Sequence, residues 1–189
     1  MRCYHLNNFY LHEKHCGIQS AHSQHELMLK YTDPSNPTIK SPFCQPQLEG
    51  YLEWARNHKT IIVLNGGMQS HLQEWVEFLT PLSHSYAWAK FNESEEALNG
   101  ALTNVAVVLP ERIYTFARQI TNAIESGRSN VIRSTDFVYI ELFRLPGDNY
   151  KLVRKSRAVV TEEFVEDEAW LYNQFDVQLM DKLSKCSLM

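Results

Sequence analysis

The 189-residue chain lacks most of the features that mark secreted, metal-bound or membrane-spanning proteins. Its four cysteines are scattered and include no C-x-x-C pair, so neither a disulfide framework nor a zinc finger is supported. No apolar run approaches the ~20 residues of a membrane span. No charged and then apolar leader opens the sequence. We therefore expect a reduced, cytoplasmic protein with no cofactor, no bound metal and no membrane partner.

An excess of basic charge is also absent. The formal net charge is −4 and the isoelectric point is about 6.1. Because proteins dedicated to nucleic acids normally present a basic surface, this balance disfavours a nucleic-acid partner. Hydrophobic residues make up 44% of the chain and aromatic residues 12%, which is enough to build a packed globular core.

Hydrophobic periodicity predicts an α/β sandwich over the first 126 residues. The most informative stretch is a short apolar run, Lys59 to Leu64, which predicts a buried strand ending at the turn Asn65-Gly66-Gly67. The other predicted strands are Cys3–His12, Ser85–Phe91 and Leu102–Leu109, and the predicted helices are His15–Lys30, one around Trp54, Leu72–Leu79 and one following Pro110 and ending at Gly127. For the first helix we expect a core-facing stripe of Ile18, Ala21, His22, His25, Met28 and Leu29.

Residues 127–189 form a separate C-terminal extension in this interpretation. A strand over Phe137–Leu145 turns at Pro146-Gly147-Asp148, and a basic segment, Lys151–Arg157, precedes an acidic one, Glu162–Glu168. An amphipathic helix is predicted over Ala169–Leu183, with an apolar stripe of Trp170, Leu171, Phe175, Leu179 and Leu183. The stripe predicts either packing on the main domain or homodimerisation, so monomer and homodimer both stay open.

Four groups of residues offer chemistry, each with a plainer structural explanation. His22 and His25 lie one helical turn apart and could bind a metal with Cys16 or His15, but no metal motif is present. Cys16, near a helix start, could be a low-pKa nucleophile, although no orienting group is near it in sequence. We favour packed or solvated side chains for both groups.

The glycine turn and an acidic cluster are the other two groups. Asn65-Gly66-Gly67 before a helix could bind an anion through backbone N–H groups, yet phosphate-loop motifs are absent and glycine pairs mostly serve backbone geometry. Glu93, Glu95 and Glu96 follow a predicted strand, where carboxylates could act as acids or bases. A solvated acidic loop is the more common role of such a cluster.

Three blocks of the sequence resemble the type-2 peptidyl-tRNA hydrolases of archaea and eukaryotes. Gly17-Ile-Gln-Ser-Ala-His22 is similar to the family's A-A-Q-x-x-H, with Gln19 and His22 in register. His58-Lys-Thr-Ile-Ile-Val-Leu64 is similar to K-(V/I)-V-(V/L), with Lys59 at a family lysine. Asn99-Gly-Ala-Leu-Thr103 and the run to Pro110 resemble G-S-x-T-V followed by G-P. The resemblance covers residues 2–125. The sequence as a whole is similar to type-2-like proteins that bacteriophages encode.

The resemblance implies a three-layer sandwich, in which a mixed four-stranded sheet lies between helices, plus the C-terminal strand and helix extension. It also implies hydrolysis of the ester that joins a peptide to tRNA, in a cleft at the start of the first helix. The catalytic residues would be Lys59, His22, Glu93 and Thr103. The ligand would be bound by Gln19, His15 and Asn92, with Asn65 of the glycine turn as a further candidate.

The sequence departs from the family where charge matters. The family's lysine seven residues before the histidine is His15 here, and its D-A-G-x-T motif corresponds to Phe91-Asn-Glu-Ser-Glu-Glu. The aspartate thus becomes Asn92 or Glu93, and the threonine becomes Glu95 or Glu96. Acidic side chains in a loop that would face tRNA repel the phosphates of its backbone.

Two functions from different classes follow from these departures. The first is a non-hydrolytic binding or regulatory module that acts on a protein or a nucleotide-like ligand, such as a phage factor modulating a host or defence component. The alternative is an active ester hydrolase on peptidyl-tRNA or a related ester, with Glu93 replacing the missing aspartate.

Overall fold

The computed structural model describes residues 1–37, 41–81, 84–126, 131–135, 138–158 and 163–189, with backbone alone at 43 and 131–134. These residues form two compact units, Met1–Glu111 with Cys186–Met189, and Arg112–Lys185. The division thus follows Glu111, whereas the sequence placed a boundary after residue 126. Gly127, Phe137 and Glu162, which took part in the predicted elements, lie outside the described residues.

The first unit alternates strands and helices in nearly the predicted order. Its elements are β1 (Arg2–Asn7), α1 (Glu13–Thr32), α2 (Gln45–Glu53), β2 (Ile61–Asn65), α3 (Gln69–Leu79), β3 (Trp88–Asn92), α4 (Glu95–Leu98) and β4 (Leu102–Leu109). A single π-helical turn, Trp54–His58, continues α2. A further short helix, α5 (Glu111–Tyr114), begins where the first unit ends.

The four strands form one mixed sheet in the order β2-β1-β4-β3. β1 pairs with β2 in parallel, while β4 pairs antiparallel with both β1 and β3. All eight residues of β4 are buried, as its apolar, β-branched run predicts for a central strand. The predicted mixed four-stranded sheet is therefore confirmed.

Helices cover both faces of this sheet. On one face, Leu27 and Tyr31 of α1 and Trp54 join a buried cluster with Cys3 and Val108 of the strands. On the opposite face, Leu72 of α3 reaches Leu6 of β1, because both lie within 3.0 Å of the position that a Cβ on Gly66 would take. The first unit is thus the three-layer α/β sandwich that was predicted.

The predicted stripe of α1 is wrong in phase. Ile18, Met28 and Leu29 are 50%, 37% and 43% exposed, and Ala21, His22 and His25 are exposed as well. The buried residues are Cys16, Gln19, Ser20, Ser23, Leu27 and Tyr31. The cause is that β1 turns His5 and Asn7 towards α1, and these side chains need the hydroxyl groups of Ser20 and Ser23 as hydrogen-bond partners.

Gly66 fills a position where a side chain has no space. A Cβ there would lie 2.5 Å from Leu72 Cδ2 and 3.1 Å from the Asn7 carbonyl oxygen. We expect Gly66→Ala to lower the free energy of unfolding by about 2 kcal/mol through overpacking. Gly17→Ala is the matched control, since Gly17 lies in α1 with nothing within 4 Å; it should stabilise by about 0.5–1 kcal/mol. Urea unfolding of both variants measures this, and an equal effect would contradict the packing.

The second unit is an antiparallel sheet with helices. Its elements are α6 (Ala117–Ser126), β5 (Val131–Ser134), β6 (Val138–Leu145), β7 (Asn149–Arg157), β8 (Phe164–Tyr172) and α7 (Gln174–Ser184), and the strand order is β5-β6-β7-β8. β6 ends at the predicted turn, where Gly147 and Asp148 adopt φ values of 73° and 55°. A sheet of four strands replaces the single strand that the sequence predicted there.

The basic and acidic segments of the extension are neighbouring strands. Arg154 of β7 pairs in register with Glu168 of β8, and Lys151 Nζ lies 3.6 Å from Glu166 Oε1. The charge pattern that looked like two separate segments is therefore a cross-strand complementarity.

The predicted helix over Ala169–Leu183 is wrong in its first part. Trp170 and Leu171 belong to β8, and α7 begins only at Gln174, after the cap residue Asn173. Leu179 and Leu183 are buried, and α7 packs against α6 within the second unit. Leu179 and Leu183 of the predicted stripe are therefore covered within that unit, whereas Leu171 is 66% exposed.

Candidate functional site

The ends of three strands meet the start of α1 at one end of the first sheet. β1 runs towards this end, and its last residue, Asn7, pairs with Asn104 near the start of β4. β3 finishes there at Asn92, which pairs with Leu102. Since α1 follows β1 after a short connection, its first turns lie over the same end. Gln19, His22, Asn92, Glu93 and Thr103 are thereby brought to one end of the sheet.

Three of the predicted site residues form one hydrogen-bonded chain. The Thr103 hydroxyl donates to Gln19 Oε1 at 2.8 Å, and Gln19 Nε2 donates to Glu93 Oε1 at 2.5 Å. Thr103 and Gln19 are only 2% and 5% exposed, whereas Glu93 is half-buried. The amide of Gln19 is therefore fixed at both ends, and it holds the carboxylate of Glu93 against α1.

His22 and Phe91 form a flat aromatic platform beside this chain. Their rings stack with centroids 4.6 Å apart and planes inclined by 12°, and His22 is exposed. Asn92, which follows Phe91, donates from Nδ2 to the Gly100 carbonyl at 2.9 Å and so ties the two ends of the loop together. Between these residues, Ser94 caps α4, and Glu95 and Glu96 are exposed.

Lys59 lies at the opposite end of the sheet. β2 runs parallel to β1, so Asn65 is at the end that carries Asn7, and Lys59 precedes the start of β2. Asn65 is six residues after Lys59 along nearly extended chain, a distance of about 20 Å. Lys59 is exposed, has a left-handed φ of 55° and donates its N–H to the Trp54 carbonyl, closing the π-helical turn. The structure does not bring Lys59 together with Glu93 or Thr103.

The other two predicted ligand-binding residues make local contacts. His15 is exposed and lies edge-on to His12, with ring centroids 6.4 Å apart. Asn65 Oδ1 accepts the Gly67 N–H at 2.8 Å. Gly66 N–H donates to the Asn7 carbonyl and Met68 N–H donates to His71 Nδ1. Because these turn amides already have acceptors, the glycine turn offers little to an anion.

A buried polar network behind the site was missed by the sequence reasoning. His5 is fully buried, and its Nδ1 lies 2.9 Å from Ser23 Oγ and 3.3 Å from Asn104 Oδ1. Its Nε2 lies 3.4 Å from Cys3 Sγ. Burial lowers the pKa of His5 to about 4. The available signal was the alternation of Cys3, His5 and Asn7 along β1, which puts three polar side chains on one face.

Two buried amide atoms of this network have no hydrogen-bond partner. They are Asn7 Oδ1 and Asn104 Nδ2, on residues that pair in register across β1 and β4. Unpaired buried polar atoms cost free energy, so this layer between α1 and the sheet contributes less stability than an apolar layer of the same size.

The nucleophile and metal hypotheses lose their basis in the structure. Cys16 is 3% exposed, and burial raises the pKa of its thiol, where the position in the first turn of α1 had predicted a lowered value. Across the described ranges, no three His, Cys, Asp or Glu side chains come together in a way that could hold a metal ion.

Comparison of the chain with protein-family models, with curated proteins and with solved structures found no match. Among the helices that the structure describes, none is both long enough and apolar enough to cross a membrane.

Proposed function

We propose that the protein is a divergent, cytoplasmic relative of the type-2 peptidyl-tRNA hydrolases and acts as a non-hydrolytic binding module for a protein partner. The observation that carries this proposal is the position of Lys59 at the far end of the sheet from Thr103, Gln19 and Glu93. A cation about 20 Å along the strand neither neutralises a phosphate nor assists proton transfer at that network.

The hydrogen bonds of the network also argue against ester hydrolysis. General base catalysis needs a group within about 3 Å of the proton that it removes. The hydroxyl of Thr103 is buried and donates to Gln19 at 2.8 Å, so its proton is already committed. The Glu93 oxygen that accepts from Gln19 is also engaged, at 2.5 Å. The hydrogen-bonded chain of Thr103, Gln19 and Glu93 therefore serves as a rigid scaffold for the surface that lies above it.

The surface above that scaffold has the chemistry to bind a basic protein segment. We call the exposed His22, its stacking partner Phe91 and the carboxylates of Glu95 and Glu96 the acidic platform. Carboxylates and aromatic faces both attract arginine and lysine side chains, whereas carboxylates repel the phosphates of a nucleotide or tRNA. A protein partner therefore fits this surface better than a nucleotide-like ligand.

The negative charge of the acidic platform predicts that tRNA does not bind. In a filter-binding titration at 50 mM salt, we expect no saturable binding of deacylated tRNA at micromolar protein, because the acidic platform opposes phosphate. A double variant, Glu95→Lys with Glu96→Lys, is the positive control and should acquire binding that weakens at 200 mM salt. Tight, salt-dependent binding by the unmodified protein would contradict the proposal.

An active ester hydrolase is the second candidate. It is favoured by one observation: Gln19, His22, Glu93 and Thr103 lie at the same end of the sheet. In this candidate, Glu93 would substitute for the family's aspartate. In that case Glu93 would leave Gln19 when substrate binds, and phosphate would be held by groups other than Lys59. Loss of turnover on Thr103→Val, with the fold intact, would identify this function.

A further inference from the structure

The outer edge of β2 is covered by a short segment of the same chain. Within the first unit, Leu188 forms an antiparallel bridge with Leu64. Asn65 N–H donates to the Ser187 carbonyl at 2.9 Å, and Met189 N–H donates to the Val63 carbonyl at 3.3 Å. Since the sheet order is β2-β1-β4-β3, β2 is an edge strand, and Ser187–Met189 lies on its free side.

The backbone polarity of β2 explains where this segment sits. The Thr60 carbonyl accepts from Cys3 N–H of β1 at 2.9 Å, so by alternation the backbone groups of Ile61, Val63 and Asn65 point to the outer edge. The segment uses only the Val63 carbonyl and the Asn65 amide. Edge strands with free backbone groups are the usual sites for addition of a strand from another chain.

The covering segment is held weakly. It makes two backbone hydrogen bonds to β2, Leu188 is 77% exposed and Met189 is 45% exposed. One side chain of the segment contacts the helix: Met189 Sδ lies 4.0 Å from Cys16 Sγ of α1. Ser187 and Leu188 are exposed. The edge therefore selects an apolar residue at the Met189 position and tolerates variety at its neighbours.

We propose that the outer edge of β2 is a docking strand for an extended segment of a partner protein, and that Ser187–Met189 is a built-in competitor for it. The partner segment would run antiparallel to β2 and place an apolar side chain on Cys16, as Met189 does. This inference does not rest on the acidic platform, because β2 and β3 are opposite edges of the sheet. The outer edge of β2 would be a second binding surface, at which backbone hydrogen bonds recognise the partner segment.

The test is a peptide-binding measurement on two forms of the protein. The probe is a fluorescein-labelled peptide of residues 183–189 carrying Cys186→Ser, which prevents disulfide formation. Fluorescence anisotropy is recorded with the full chain and with a variant that lacks Ser187–Met189. We expect the shortened protein to bind the peptide at least tenfold more tightly than the full chain, because its edge is free.

Two methylated peptides provide the matched control for strand addition. A methyl group on the Met189 nitrogen removes the hydrogen bond to Val63 and should abolish binding. A methyl group on the Leu188 nitrogen, which points away from β2, should leave binding within about twofold of the parent peptide. Equal binding of both methylated peptides, or absence of any binding to the shortened protein, would overturn the proposal.

A second, full-length variant tests the proposal even if the truncated protein fails to fold. Met189→Pro keeps the chain length but removes the donor to Val63, so it should bind the peptide more tightly than the unmodified chain does. Leu188→Ala should behave like the unmodified chain. Sedimentation of the full chain distinguishes a second copy of this chain from a different protein as the partner. If the full chain is a dimer that dissociates on truncation, the edge binds a second copy, and the assignment to a different protein is overturned.

Discussion

Replacing Arg112 with methionine is expected to lower the free energy of unfolding by about 3 kcal/mol. In the second unit, Arg112 Nη1 lies 3.1 Å from Asp176 Oδ2, and Asp176 is only 4% exposed. The same nitrogen donates to the Leu171 carbonyl at 3.1 Å. Removing the cation takes away a positive charge that stabilises a buried carboxylate, and truncating one partner is the costly way to break such an ion pair.

The matched control is Arg144→Met. Arg144 pairs with Asp148 at the β6–β7 turn, but these side chains are 72% and 58% exposed. Surface pairs of this kind contribute about 0–1 kcal/mol because water screens them and the side chains lose freedom. Urea unfolding followed by circular dichroism measures both variants. Similar losses for Arg112→Met and Arg144→Met would show that burial of Asp176 does not determine the effect.

The second large effect is an acid-dependent loss of stability through His5. Burial in the polar layer lowers the pKa of His5 from 6.5 to about 4 in the folded protein. Well above pH 6.5 the ring is neutral in both states and contributes no pH dependence. As the pH falls from 6.5 to 4, the unfolded chain takes up a proton that the folded protein does not, so stability decreases by about 3 kcal/mol. Below pH 4 this contribution levels off.

The pH dependence is isolated by comparing variants. His5→Asn retains an amide near Ser23 and Asn104 but removes the imidazole, so its stability should fall by about 3 kcal/mol less between pH 7 and pH 4. His25→Asn, which removes an exposed histidine of α1, should keep the original profile. Urea midpoints at half-unit pH steps provide the measurement. Parallel profiles for His5→Asn and the unmodified protein would refute the linkage.

The elements that sequence reasoning predicted well are those whose pattern has one physical explanation. β4 spans Leu102–Leu109, as predicted, because four of its eight residues are β-branched and most are apolar, a composition typical of strands. The order of strands and helices in the first unit, and the glycine turn after β2, follow from the same alternation of patterns. The close packing of Gly66 between α3 and β1 was not predicted, because the glycine pair indicated only a turn.

The phase of α1 could not be predicted from its own residues. Its apolar residues suggested one face, yet the sheet beneath it carries His5, Asn7 and Asn104, whose partners are serines of α1. Only the pairing of β1 with β4 reveals that requirement. Likewise, the strand identity of Phe164–Tyr172 depends on its basic neighbour β7, because nine mostly exposed residues give no burial pattern of their own.

The candidate site was predicted in part. Gln19, Glu93 and Thr103 are joined by hydrogen bonds. Beside them the pairing register of β3 and β4 shifts between Phe91 and Asn92, and no feature of the local sequence predicts that shift. Lys59 was predicted to join them because its sequence context resembles that of a family lysine. Its left-handed conformation and its distance from the other residues follow only from the fold. The direction of β2 places Lys59 at the end of the sheet opposite to Gln19, Glu93 and Thr103.

The most direct test of the central proposal is the hydrolysis of N-acetyl-aminoacyl-tRNA. The release of labelled N-acetyl-amino acid is followed over time with the protein, with Thr103→Val and with no protein, and an active type-2 hydrolase serves as the positive control. A non-hydrolytic binding module predicts release at the spontaneous rate in all three samples. Protein-dependent turnover that disappears in Thr103→Val would contradict the proposal and establish the ester hydrolase instead.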